Sequence, residues 1–183
     1  MSKKVLVPIA DGIEEIEAMC IIDVLRRAGA YVTIASVDKL QVTAAHGVKL
    51  VADNLISDCT EIAYDLIALP GGMPGAEHLR DSKELELILK RQQSEGKLYA
   101  AICASPAVVF QHHGLIGRRK ATCYPSFAKQ LDNTDAVEDR VVVDDECITS
   151  QGPGTALEFA IKLVELLYGK QKAKDVALPM LAG

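Results

Sequence analysis

Tryptophan is absent from this 183-residue sequence, and aromatic residues together make up only 4% of it. Aliphatic side chains must therefore fill the interior, and the 49% hydrophobic content supplies them. Basic charge is scarce too, with 20 Lys and Arg against 25 Asp and Glu, a net charge of −5. Nucleic-acid binding by electrostatics needs a basic face. The one basic run, Arg118-Arg119-Lys120, reads as a solvated loop. No stretch approaches the ~18 consecutive apolar residues of a membrane span. Nor does an export signal open the chain: Met1-Ser2-Lys3-Lys4 precedes about five apolar residues, fewer than the ~7–15 of a signal core. A soluble cytoplasmic protein is expected, with no affinity for nucleic acid or membrane.

Cysteine occurs, but in no paired pattern. Its five positions (20, 59, 103, 123 and 147) are odd in number and scattered, whereas a secreted disulfide framework favours an even count in a shorter chain. With no Cys-x-x-Cys pair, thioredoxin-type redox chemistry and zinc ribbons lack their spacing. All but Cys103 read as small apolar residues.

What is there is a regular alternation of strand-like and helical segments. Val5–Ile9, Tyr31–Val37, Asp65–Leu69 and Leu98–Ile102 read as strands. A weaker β-rich patch covers Gln41 to Ile56, and further strands are expected near Lys120–Tyr124, Arg140–Val143 and Ile148–Ser150. Amphipathic helices are expected over Ile13 to Ala28, ending at Gly29, and over Ser82 to Glu95, closing at Gly96. Another follows from Pro106, and a last one follows Gly152-Pro153-Gly154. That last helix has Thr155 and Glu158 in capping-box spacing, and Leu157, Ile161, Val164 and Leu167 repeat along it as an apolar face. This alternation predicts one α/β domain over 1–183, with a mostly parallel sheet and helices on both faces.

Ala100-Ala101-Ile102-Cys103-Ala104-Ser105-Pro106 places a cysteine between a buried strand and a helix whose first turn accepts proline. Ala101 and Ser105, two residues to either side, imitate the small neighbours of a nucleophile elbow. A helix N-terminus lowers a thiol pKa, and its free amides can hold an oxyanion. A buried, inert cysteine is the competing reading. On a helical wheel of about 100° per residue, Glu17 sits at the centre of the first helix's apolar stripe, among Ile13, Cys20, Ile21, Val24 and Ala28. Glu14 lies at the edge of that arc, and Glu15 and Arg26 project from the far side. A carboxylate so placed must be protonated or hydrogen-bonded, which suits a proton shuttle. Pro70-Gly71-Gly72, directly after a strand, would let backbone amides approach a ligand.

Four motifs occur in order: Glu14-Glu15-Ile16-Glu17, Leu69-Pro70-Gly71-Gly72, Ala100-Ala101-Ile102-Cys103-Ala104, and Thr149-Ser150-Gln151-Gly152-Pro153-Gly154-Thr155. Together they resemble the ThiJ/PfpI superfamily, and within it the branch of the Parkinson-disease-associated protein deglycase and its bacterial YajL-like relatives. The resemblance implies a flavodoxin-like three-layer sandwich and a homodimer. By position it implies Cys103 as nucleophile, Glu17 as its protonated partner, and the amides of Gly72 and Ala104, beside Gly71, as an oxyanion pocket. His46, Tyr124, Gly152 and Pro153 would form the pocket rim. Two of these depart from the family: some relatives carry histidine where this chain has Tyr124, and many carry arginine where it has His46, before the Val48–Val51 strand.

A protease would need a histidine base. His112 and His113 would lie about 14 Å from Cys103 along one helix, and Ala104 stands where protease-like relatives have histidine. All four histidines read as surface residues. Two functions remain open. One is glyoxalase or deglycase chemistry on small dicarbonyls or their adducts, needing no metal or organic cofactor. The other is a redox sensor or chaperone whose cysteine is oxidised to sulfinate without turnover.

Overall fold

A computed structural model describes residues 2–182. In β1 (Lys4–Ile9) every residue after Lys4 is buried, as expected of a parallel strand covered on both faces. α1 (Glu15–Arg27) follows, with the Glu14 side chain accepting the Ile16 N–H at its start and Gly29 turning the chain just past its end. β2 (Tyr31–Ser36) returns parallel to β1. β3 (Gln41–Thr43) and β4 (Lys49–Val51) form a separate antiparallel hairpin, and β5 (Asn54–Leu55) is a short edge strand. β6 (Leu66–Leu69) is fully buried and is followed by α2 (Gly75–Asp81) and α3 (Lys83–Ser94). β7 (Leu98–Ile102) leads into the elbow. β8 (Val141–Asp144), β9 (Cys147–Ser150), α4 (Ala156–Tyr168) and α5 (Lys170–Ala177) complete the fold.

The main sheet has seven strands in the order β5-β2-β1-β6-β7-β9-β8, all parallel except β8. From β1 the chain builds outward to β2, and from β6 it builds the other way to β7. Ligands of such sheets bind beyond the carboxyl ends of strands near this reversal, where Pro70-Gly71-Gly72 and Cys103 lie. The flavodoxin-like architecture is the one expected. Among the described residues no helix is long and apolar enough to cross a membrane.

Several local expectations fail for identifiable reasons. Residues 120–124 form no strand, because β9 is already paired on both edges, by β7 and β8. The Thr122 N–H goes instead to the Thr149 side chain at 2.9 Å. After Pro106 the chain forms a six-residue π-helix, Pro106–Gln111. The Thr155–Glu158 capping box does not form: Thr155 Oγ1 bonds the Gly152 N–H at 3.1 Å, and Glu158 pairs with Arg140 at 2.7 Å. α4 buries Ala156, Phe159, Ala160, Leu163 and Val164, leaving Leu157 partly exposed. With Glu158, Lys162 and Glu165 on one side, the apolar arc on the other is too broad for periodicity to select the buried stripe. α2 and α5 have no counterpart among the expected helices.

Candidate active site

β7 lies between β6 and β9, so its carboxyl end is deep in the molecule. Cys103 occupies the next position with φ 65°, a left-handed backbone that costs a residue with a side chain roughly 1–2 kcal/mol. Two hydrogen bonds hold it there. Its N–H donates to Ser150 O at 3.0 Å, and its carbonyl accepts the Tyr124 N–H at 2.7 Å. One step on, Ser105 Oγ donates to Pro70 O at 2.6 Å and ties the elbow to the end of β6. The sharp turn leaves the cysteine only 9% exposed.

The two glycines after Pro70 serve different ends. A Cβ on Gly71 would stand 2.6 Å from Cys103 Cβ and 2.8 Å from the Ala104 nitrogen, so only glycine lets the strands' ends meet. Gly72 has φ 85°, which glycine adopts freely. The turn aims the Gly72 amide at the Cys103 sulfur, which also receives the Ala104 amide.

Glu17 is fully buried, as the helical wheel requires. The Gly71 N–H donates to its Oε2 at 2.7 Å, and the same carboxyl lies against the Cys103 thiol. Burial raises its pKa to about 7, opposed by the Gly71 amide and the thiol, while Glu14 adds a further upward push. For Cys103, burial pushes the thiol up to about 12; the neighbouring Glu17 carboxylate adds to this, and the Gly72 and Ala104 amides oppose it. This corrects the expectation of a lowered thiol pKa. The sulfur is nearly enclosed, a carboxyl stands beside it, and the helix that follows is short. The resting pair carries at most one negative charge near neutrality, on the carboxyl.

The raised carboxyl has a thermodynamic signature. Its folded pKa, about 7, exceeds its ordinary value of 4.5, so the native state holds the extra proton between those values. The stabilisation is fully present below the lower value and is lost as pH rises through the upper one, about 3 kcal/mol in all. In Glu17→Gln, which cannot ionise, this loss should vanish. Urea unfolding at about pH 4 and pH 8.5 should show the variant gaining on wild type by roughly that amount; a pH-independent difference would contradict the raised value.

The expected rim is only partly assembled. Tyr124 packs over Gly152, where a Cβ would meet the ring at 3.2 Å. Pro153 opens a short 3-10 turn, Pro153–Thr155, and Thr155 Oγ1 lies 2.6 Å from Ser150 Oγ. The residue whose carbonyl holds Cys103 is thereby joined to the rim, a link made within the Thr149–Thr155 motif. His46 instead lies against the start of α1: its N–H donates to Glu15 Oε1 at 3.0 Å, and Nδ1 lies 3.3 Å from Glu15 Oε2. This hairpin contact buries Glu15, which the wheel placed on the far side. His113 is also largely buried, 2.9 Å from Arg80 O, and not a surface residue. Beside the elbow, a groove of about 400 Å³ is lined by Met73, Val108, His112 and Phe127 among others.

Residues 3–166 match the DJ-1/PfpI family. Over 181 residues the chain is 52% identical to Protein DJ-1 homolog B of Arabidopsis thaliana, covering 98% of this chain but 41% of the plant protein, so it spans less than half of that relative. It is 37% identical to the Caenorhabditis elegans protein named Glutathione-independent glyoxalase DJR-1.2, over 98% of this chain and 95% of that one. The solved structure of Toxoplasma gondii DJ-1, oxidized, superposes with a TM-score of 0.97 at 52% identity, covering 100% of both chains.

Proposed function

This chain belongs to the DJ-1/PfpI family, and on that premise we propose that it performs cofactor-independent glyoxalase or deglycase chemistry on small dicarbonyls or their early adducts. The observation that carries the reading is the buried Glu17 carboxyl, anchored by Gly71 and set against the Cys103 thiol, with two amides facing the sulfur. The name of the Caenorhabditis elegans relative gives the reaction class.

With methylglyoxal, the Glu17 carboxylate takes the thiol proton as the sulfur bonds to the aldehyde carbon. The resulting alkoxide is held by the Gly72 and Ala104 amides and takes the proton back from Glu17, leaving a hemithioacetal. Glu17 then removes the hydrogen on that carbon to give an enediolate and delivers the proton to the adjacent carbon, while the hydroxyl proton passes to the adjacent oxygen, giving a thioester of lactate. Water cleaves the thioester, releasing lactate and restoring the thiol. Atoms balance as methylglyoxal plus water to lactate, with no metal or organic cofactor. An atom in the site favours a second use of the sulfur: Glu17 Oε1 is buried without a hydrogen-bond partner. When protonated, it could donate to an oxygen added to the sulfur by peroxide. Appearance of lactate with one equivalent of methylglyoxal consumed tests the first use.

The working unit in this reading is a homodimer in a reducing compartment, taken as the cytoplasm. α1 leaves Ile16 54% and Met19 45% exposed, and the adjoining hairpin leaves Val51 66% exposed. Sedimentation should find two chains per particle, shifting toward monomer in Met19→Glu; a purely monomeric wild type would overturn the pairing.

A further inference from the structure

The start of α1 holds a second constellation that the chemistry at Cys103 does not use. Glu14, Glu15 and His46 each bring one ligand atom to the same spot, all within 4.8 Å of one another. His46 Nδ1 stands 3.4 Å from Glu14 Oε2 and 3.3 Å from Glu15 Oε2. These spacings are long for charge-assisted hydrogen bonds, which run about 2.7–2.9 Å. One ring N–H, moreover, can serve only one of two carboxylates well. They do match co-ligands of one ion: donors about 2.0–2.2 Å from a tetrahedral centre lie roughly 3.3–3.6 Å apart.

Burial gives an independent reason for a cation. The Glu14 and Glu15 side chains are only 8% and 10% exposed. Among the described residues neither pairs with a lysine or arginine, and the exposed His46 is their one basic neighbour. Glu14 accepts the Ile16 N–H and Glu15 the His46 N–H, but two enclosed carboxylates at one spot still repel each other, and a cation between them removes that repulsion. Glu15 is already fixed by the His46 N–H, so one ligand is held before any ion arrives, while the exposed imidazole closes from the solvent side.

The geometry points to a binding site for a first-row divalent cation, of the zinc class, formed by Glu14 Oε2, Glu15 Oε2 and His46 Nδ1. One imidazole and two carboxylates suit such ions, with a position left open for water. Binding displaces any proton from Nδ1 and replaces the Nδ1–Glu15 Oε2 contact with the ion. The site lies at the junction of α1 with the β3–β4 hairpin, so an occupying ion would clamp these two elements together.

Cobalt(II), titrated into the full chain carrying Cys103→Ser, tests this through visible spectra and calorimetry. One ion should bind per chain with the spectrum of nitrogen and oxygen ligands. His46→Ala, which removes an exposed side chain and keeps the backbone N–H to Glu15, should weaken binding at least tenfold, and Glu14→Gln should do likewise. Undiminished affinity in His46→Ala, a thiolate charge-transfer band, or no saturable binding would each overturn the site. Because the reactive thiol is already removed, the result is independent of the dicarbonyl reading.

Discussion

Replacing Cys103 with serine should cut lactate formation from methylglyoxal by on the order of a thousandfold or more. The hydroxyl fits the same turn but forms the covalent adduct far less readily. Its neighbours at the elbow are unchanged, so the variant should keep the wild-type fold, checked by circular dichroism. Lactate production equal to the uncatalysed background in wild type and variant alike would eliminate the enzymatic reading. A second readout on the same protein addresses oxidation. After mild peroxide the intact mass of wild type should rise by about two oxygens, and the serine variant should not change. Oxygen uptake first at another cysteine would remove the sensing role.

Glu17→Gln is the second large effect. Glutamine keeps the size and can still accept the Gly71 N–H, but it cannot take or return a proton. General acid–base contributions of this kind are worth about 10²–10⁴ in rate, and kcat should fall within that span. The pH profile separates chemistry from packing. Because the carboxylate form must receive the thiol proton, wild-type activity should rise as pH passes through about 7 and then level off. That inflection should be missing from the variant's residual activity. A variant with unchanged kcat, or one that retains the inflection, would leave Glu17 a packing residue.

The alternation of the main strands and helices, and the placing of Cys103 on an elbow and Glu17 on a buried stripe, were legible in the residues, because each depends on a periodicity or on a local steric rule. Glu17 stands on an apolar stripe of a helix with one clear polar side, and Pro106 with its small neighbours marks the elbow. α4 shows where this fails: Glu158, Lys162 and Glu165 share one side, and the apolar arc on the other is so broad that what packs on it sets the buried face. Residues 120–124 have strand composition, but no free edge of β9 is left for them. Glu15 is buried by a hairpin that helical phase cannot foresee. The thiol's electrostatics were legible least of all. They depend on how deeply the sulfur is enclosed and on the directions of two amides, both products of tertiary structure.

The approach of the Gly71–Gly72 turn to Cys103 has a consequence for how such a catalyst could be retargeted. Where backbones touch with no room for a methyl group, the floor beneath the reacting carbon has no slack to exchange for a new shape. On the proposed chemistry, selectivity would then fall to the groups at the rim, Tyr124 and the Gly152–Pro153 turn on which it packs. A bench chemist seeking bulkier carbonyl compounds would carve the roof and leave the foundation untouched.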